Sequence, residues 1–190
     1  MFQQARAAVL MLLIMTGLTG VVYPFVITAI AQTVFSRRAN GSLLVDQGRV
    51  VGSEWIGQLF SEPGYFWPRP SATPQFPYNS ASSSGSNLGP LSPDLRRQFE
   101  ERVRILRASD PENTQPIPAD LVAASGSGLD PHISPQAARW QSARVAKARG
   151  LPREVVDQLI ERHIEQPQLG VLGEGRVNVL LLNRALDKLK

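Results

Sequence analysis

Residues 7–31 read AAVLMLLIMTGLTGVVYPFVITAIA, and no charged residue occurs between Ala7 and Ser36. A helix needs about 20 apolar residues, each rising about 1.5 Å, to cross the roughly 30 Å hydrocarbon core of a bilayer. This run is long enough to do so with some tilt. A secretory signal core is shorter, about 7–15 apolar residues ahead of a small-residue cleavage site. Ala29-Ile30-Ala31 mimics such a site only weakly, so length favours a retained anchor. The stretch predicts a single N-terminal transmembrane helix within residues 1–35 and a soluble domain over 36–190.

Small residues within the span are spaced suggestively. Thr16 and Gly20 lie four apart, with Gly17 beside them and Thr19 on the flank, a pattern that lets a neighbouring helix approach closely. Pro24 removes one backbone donor and predicts a kink, which packed neighbours or water would have to satisfy in lipid. Thr16, Gly17, Gly20 and Pro24 therefore form a candidate face for a partner helix. The plainer alternative is that Gly and Thr are simply common in membrane helices.

The formal net charge is +4, with a sequence pI near 10.0, which raises nucleic acid or anionic lipid as partners. Position argues otherwise, because Arg139, Arg144, Lys147, Arg149 and Arg153 scatter around a helix instead of forming a stripe. The absence of cysteine excludes disulfides, thiolate nucleophiles and cysteine metal sites. His132 and His163, the only histidines, are too few for a histidine-based metal site without carboxylates, so no metal is expected. Arg6 on one side of the span nearly balances Arg37 and Arg38 on the other, with a slight lean towards a cytoplasmic domain.

Beyond the span, Leu43–Val45 and Arg49–Val51 flank Asp46-Gln47-Gly48, a hairpin signal, and Glu54–Phe60 reads as a short helix. Residues 63–90 are dense in Pro, Ser and Gly and predict no regular structure. Tyr65, Phe66, Trp67, Phe76 and Tyr78 are too apolar to leave in water, so an ordered loop pinned by its rings is expected. Ser92-Pro93 opens a helix whose Leu95, Phe99, Val103 and Leu106 are expected to bury one face. Asp120–Ala124 suggests one helical turn. Ser134-Pro135 repeats the cap signature and opens a helix ended by Gly150; Pro152 opens the next, with Val155, Val156, Leu159, Ile160 and Ile164 on one face. Val177, Val179 and Leu181 alternate as a strand. The sum is an α+β soluble domain with a small sheet and several helices.

Catalytic motifs are scarce. No GxxxxGK[ST] loop is present, Gly170, Gly173 and Gly175 do not match GxGxxG and read as turns, and no DKTGT phosphorylation sequence marks a P-type ATPase motor. Residues 125–134, SGSGLDPHIS, hold the ingredients of a hydrolase triad in one short piece, whereas such groups converge from separate parts of a fold. The GxSxG elbow is absent as well. A shaped structural or partner-binding turn fits better: Gly126 and Gly128 for backbone freedom, Asp130 bonding nearby amides, Ser134 capping the following helix, and Ser125, Ser127 and His132 within it. A membrane-anchored hydrolase using Ser127 and His132 is the alternative.

Several pieces, in order along the chain, resemble one family: TGLTGVVYPFVITAIAQTVF, VGSEWIGQLF, YFWPRPSAT, YNSASSSGSNLGP, DLVAASGSGLDPHISPQAARWQSARVAKARGL and LGVLGEGRVNVLLLNRALD. Together they are similar to the C subunit of Kdp-type potassium-transporting ATPases. Trp55 and Ala123 are local departures, at positions where another hydrophobic or small residue would serve. The resemblance implies a non-catalytic accessory subunit of an ATP-driven potassium uptake pump in the bacterial inner membrane. The implied partners are a channel-like potassium-translocating subunit, a P-type ATPase subunit and a further small membrane subunit. It implies a cytoplasmic N-terminus and an extracytoplasmic domain, against the lean of the arginines, with no cofactor of its own and ATP and potassium handled by the partners. It implies one of two roles: modulating the outer ion entrance, or acting as a catalytic chaperone that raises the ATP affinity of the ATPase subunit.

Overall fold

The computed structural model describes residues 2–189, and the chain falls into two compact units, Met1–Leu43 and Leu44–Lys190. The first unit is dominated by one apolar helical run of 33 residues, Phe2–Val34. It comprises helix α1 (Phe2–Gly17), a π-helical turn (Leu18–Val22) and helix α2 (Tyr23–Val34). Pro24 sits in the first turn of α2, and the wider turn ahead of it relaxes the crowding that a proline ring imposes on the preceding carbonyls. The kink expected at Pro24 thus takes the form of a changed hydrogen-bond register in a helix that continues. Thr19 Oγ1 donates to the Met15 carbonyl at 2.7 Å and Thr33 Oγ1 to Ala29 at 2.8 Å, so these hydroxyls are satisfied within the helix. A short helix α3 (Ser36–Ala39) follows.

The second unit begins in a hairpin of β1 (Leu43–Asp46) and β2 (Arg49–Ser53), joined by Gln47 and Gly48. Both turn residues have positive φ, 46° and 78°, the two-residue geometry that suits the strand twist. The helix expected over Glu54–Phe60 does not form; this piece is a turn and irregular chain, with one bridge between Ser53 and Ile56. Gly57 explains the departure, because a Cβ there would sit 2.4 Å from the Tyr78 ring and 2.6 Å from the Asp130 carbonyl. Close backbone approach, which only glycine allows, replaces helical packing.

The core is built from α5 (Pro135–Arg149), α6 (Arg153–Arg162) and α7 (Val179–Leu186), with a three-stranded antiparallel sheet ordered β3 (His132–Ile133), β5 (Arg176–Asn178), β4 (Ile164–Glu165). Ser134 Oγ accepts from the Ala137 amide at 3.0 Å, and Gly150 closes α5 in the left-handed region at φ 65°. Both ends of α5 match the sequence signature. On α6, Val156, Leu159 and Ile160 are buried while Val155 stays partly exposed. The strand expected through Val177, Val179 and Leu181 is shorter than the alternation suggests. It stops at Asn178, whose side chain accepts from the Leu181 amide at 3.1 Å and caps α7, so Val179, Leu180 and Leu182 are buried with helical spacing.

Residues 63–90 lack regular structure yet are pinned. Phe66 is fully buried and Tyr78 nearly so, whereas Phe76, expected to be covered, is exposed. Without strand neighbours, the backbone here takes its partners from side chains. Phe66 donates to Asn183 Oδ1 at 2.8 Å and accepts from Asn183 Nδ2 at 3.0 Å. Trp67 makes the same exchange with Gln141, at 2.8 and 3.1 Å. Arg144 donates to the carbonyls of Pro63 and Tyr65 and lies 4.4 Å over the Trp67 ring, while Arg149 donates to the Gly64 carbonyl at 2.7 Å. Burial lowers the Arg144 pKa to about 10, with the Asp110 carboxylate opposing.

Helix α4 (Pro93–Ser109) departs from expectation in burial. Ser92 occupies the cap position but its hydroxyl makes no capping bond, and of Leu95, Phe99, Val103 and Leu106 only Leu106 is buried. Leu95 and Phe99 instead line a groove of about 1110 Å³ with Pro70, Ala72 and Leu88.

The Asn183 clamp yields a direct test. Asn183→Ala strands the buried amide and carbonyl of Phe66, at about 1–3 kcal/mol for each orphaned group. The thermal unfolding temperature of the full chain in detergent is expected to fall by roughly 4–24 °C, given about 2–4 °C per kcal/mol for a protein of this size.

Candidate functional site

The turn between residues 125 and 134 is stitched to neighbours on every side. The Ser125 amide donates to the Pro70 carbonyl at 3.1 Å, Ser84 N and Ser83 Oγ donate to the Ser127 carbonyl at 3.0 Å each, and Ser71 Oγ donates to the Gly128 carbonyl at 2.7 Å. The Gly57 amide reaches the Leu129 carbonyl at 2.8 Å, and the Val179 amide the Pro131 carbonyl at 2.9 Å. Gly128 has φ +67°, and a Cβ there would meet the Ser84 carbonyl and the Thr73 methyl, both at 2.6 Å. Here only glycine fits. Gly126 differs: its φ is not positive and nothing lies within 4 Å of its would-be Cβ, so the expectation of backbone freedom at Gly126 is corrected.

Asp130 accepts from Arg69 Nη1 at 3.0 Å and from the His132 amide at 3.0 Å, with His132 Nδ1 3.5 Å away. Burial works to raise its pKa, but the ring and amide of His132 together with the Arg69 charge outweigh burial and hold the carboxyl below its usual value. Ser134 combines its cap with a 2.7 Å bond from its amide to Asp120 Oδ2. The Ser125 side chain is buried with no hydrogen-bond partner. A cleft of about 310 Å³ opens beside the turn, lined by Arg69, Asp130, His132, Glu174 and Arg176 among others.

The geometry does not assemble a nucleophile relay. Ser127 Oγ accepts from the Leu129 amide at 3.1 Å, a local turn bond, and among the described residues no hydrogen bond joins it to His132. A serine nucleophile requires that bond or one that substrate binding would tighten. His132 instead lies between Asp130 and Glu165, 3.9 Å from the latter. His163 Nδ1 lies 2.8 Å from the Leu159 carbonyl in its own helix turn. In the span, Thr16, Gly20 and Pro24 are exposed and Gly17 half-exposed, with nothing within 4 Å of a Cβ built at either glycine. The π-helical turn begins between Thr16 and Gly20, so they are not stacked as a regular four-residue spacing would place them.

Residues 5–188 match the family described as KdpC, the K+-transporting ATPase c chain. The chain belongs to this family. It is 55% identical over 190 residues, covering 100% of both chains, to the potassium-transporting ATPase KdpC subunit of Methylococcus capsulatus (strain ATCC 33009 / NCIMB 11132 / Bath). Equally named subunits of Sorangium cellulosum (strain So ce56) and Geobacter sulfurreducens (strain ATCC 51573 / DSM 12127 / PCA) are 56% and 55% identical, each match covering 98% of both chains. The protein is accordingly an accessory subunit of a potassium pump and works within a multi-subunit complex. The residues that shape its turn include several that spacing did not single out: Arg69, Ser71, Thr73, Tyr78 and Gly57. Tyr78 is the least expected, a bulky residue at φ 61° whose hydroxyl donates to the Arg69 carbonyl at 2.5 Å and whose pKa burial raises.

Asp130 sets a pH dependence whose sign follows from its lowered folded pKa. Its contribution to stability is present above the ordinary aspartate value of about 3.9 and is lost as pH falls through the folded value. The stability difference between the native chain and Asp130→Asn should therefore be largest near neutrality and shrink below about pH 4 in urea titrations.

Proposed function

We propose that this subunit has no catalytic centre of its own and acts by holding and tuning the partner subunits of an ATP-driven potassium uptake pump in the bacterial inner membrane. The observation that carries the reading is the turn at residues 125–134: the Ser127 hydroxyl is engaged by the Leu129 amide, the Asp130 carboxylate by Arg69 and the His132 amide, and the Gly128 carbonyl by Ser71, as suits a rigid docking shape. The channel-like potassium-translocating subunit, the P-type ATPase subunit and a further small membrane subunit are the partners. The single span enters from a cytoplasmic N-terminus, and the soluble unit lies outside. Thr16, Gly17, Gly20 and Pro24 supply the helix face for a partner in the membrane, where close approach and packing drive association. ATP binds on the cytoplasmic side, so a chaperone-like rise in the ATP affinity of the ATPase subunit would be relayed through the span, whereas modulation of the outer ion entrance would be local.

Co-purification and potassium-stimulated ATP hydrolysis of the reconstituted complex test this. Gly128→Val and Gly20→Ile should reduce assembly, the first through a clash with the Ser84 carbonyl and the second by blocking helix approach. Ser127→Ala combined with His132→Gln should keep most of the ATPase rate per assembled complex. Loss of that rate with assembly intact would point to the anchored-hydrolase reading. Protease added outside intact cells should digest the domain; protection there, with digestion only in inverted vesicles, would reverse the assigned orientation.

A further inference from the structure

Of the residues of helix α4 only Leu106 is buried, and the face that carries it is otherwise open. Leu95, Phe99, Arg102 and Leu106 follow one another at spacings of four, three and four, so they share that face. Phe99 and the neighbouring Ile105 keep 36% and 40% of their surface exposed. The groove of about 1110 Å³ lies between α4 and an opposite wall that includes Pro70, Ala72, Ser86 and Leu88. A second hollow of about 280 Å³, lined by Phe60, Trp67, Pro68 and Leu121 among others, shares Pro70, Ser71, Arg102 and Ile105 with it.

The charges of α4 leave one cation over. The helix carries five arginines and three acids. Each acid is taken by a neighbour on the same helix: Asp94 by Arg97, Glu100 by Arg96 at 2.8 Å and Glu101 by Arg104 at 2.7 Å. Arg107 donates to the carbonyls of Asn113 and Gln115. Arg102 is half-buried on the wall that the two hollows share, and its guanidinium makes no hydrogen bond or ion pair among the described residues. Burial raises the Tyr78 pKa and the Arg102 charge opposes that rise, so the charge is felt inside the fold. A guanidinium that has given up part of its water without gaining an acceptor favours an anion brought to it. Across the groove, the amides of Gly85, Ser86 and Leu88 likewise donate to no group among the described residues.

We propose that this groove receives an extended segment of a partner subunit, with a bulky apolar side chain against Leu95 and Phe99 and an acidic side chain on Arg102. The helix sets the spacing of these two anchors. The middle of the Leu95 and Phe99 pair lies five residues before Arg102, about 7.5 Å along α4. Side chains two apart on one face of an extended chain are separated by about 6.6 Å. An apolar residue and an acid two positions apart therefore meet both anchors, and the carbonyls of such a segment suit the amides of Gly85, Ser86 and Leu88. A bilayer presents a broad surface, whereas a groove admits a narrow chain, so the occupant is a protein segment and not lipid. The inference rests on the reading of this chain as a subunit that fits partner subunits, and it names one surface at which the fit is made.

The test titrates the full chain, in detergent, onto the pump complex purified without it, and reads the Kd by thermophoresis. Arg102→Glu should raise the Kd about tenfold or more, while Arg102→Lys stays within about threefold of the native chain. Arg162→Glu, the same charge change at an exposed position of α6, should bind as the native chain does. Near-UV circular dichroism checks that each variant is folded. If the native chain does not bind the complex, the accessory-subunit reading fails. If it binds and Arg102→Glu binds equally well, that reading stands and the groove proposal is wrong. A second measurement does not depend on the arginine: p-benzoylphenylalanine in place of Phe99 is irradiated in the assembled complex and the attached peptide is sequenced. The expected adduct is on a partner subunit, within three residues of an Asp or Glu. An adduct on lipid, on a second copy of this chain or on a partner peptide without a nearby acid overturns the proposal, and so does the absence of any adduct in a complex that has bound the chain.

Discussion

Phe66 is fully buried, and the chain around it, residues 63–67, has no strand beside it. Each of its amides and carbonyls that leaves water needs a partner, since an orphaned buried group costs about 1–3 kcal/mol. Asn183 from α7 and Gln141, Arg144 and Arg149 from α5 supply those partners from side chains, which lets Phe66 enter the core while the chain remains irregular. Two short helices thus do for this segment what a sheet ordinarily does. Arg144 illustrates the tension: it is buried at 4% exposure, its charge is met by carbonyls and the Trp67 face, and burial lowers its pKa. Replacing such a group with an apolar one of similar volume can be neutral in energy, but removing it leaves carbonyls stranded.

The segment C-terminal to this clamp depends on it. From Trp67 the chain runs on to Arg69, Pro70, Ser71 and Thr73, which hold the 125–134 turn at Asp130, Ser125 and Gly128. The turn in its own right feeds β3 and the cap of α5, the helix that carries Gln141 and Arg144. The arrangement closes on itself: α5 orders the loop, the loop orders the turn, and the turn starts α5. A subunit whose role is to fit other subunits gains from such closure, because the shape it presents does not need to be assembled on contact.

Much of this is legible in the sequence wherever the signal is local. The uncharged run from Ala7 to Ser36, the Gln47-Gly48 turn, and the Ser134 and Gly150 ends of α5 each rest on a few adjacent residues with one physical meaning. The departures have a different cause. Val177-Asn178-Val179 fits a period-two strand, but Asn178 is a cap, and tertiary burial of Leu180 and Leu182 decides for helix. Glu54–Phe60 has helical composition, yet Gly57 is required against Tyr78. The stripe on α4 is apolar as its spacing indicates but largely uncovered, since periodicity reports a preference and says nothing of what packs against it. Asn183, lying inside the apolar run VLLLNRAL, is the one local clue to a buried polar clamp. At the turn, Asp130, Gly128 and Ser134 can be found from residue type. Arg69 and Ser71 act on the turn from 61 and 57 positions away, and Tyr78 is fastened to Arg69, so none of them leaves a mark in local spacing.

The most direct measurement is native-state amide hydrogen exchange of the full chain, read at Phe66 and Trp67. If Asn183 and Gln141 hold these amides as ladder partners would, both should exchange as slowly as amides in the middle of α5 and α7, and the protection of Phe66 should disappear in Asn183→Ala. Exchange of Phe66 and Trp67 at the rate of an exposed loop, while α5 and α7 remain protected, would show that the side-chain clamp does not hold this segment.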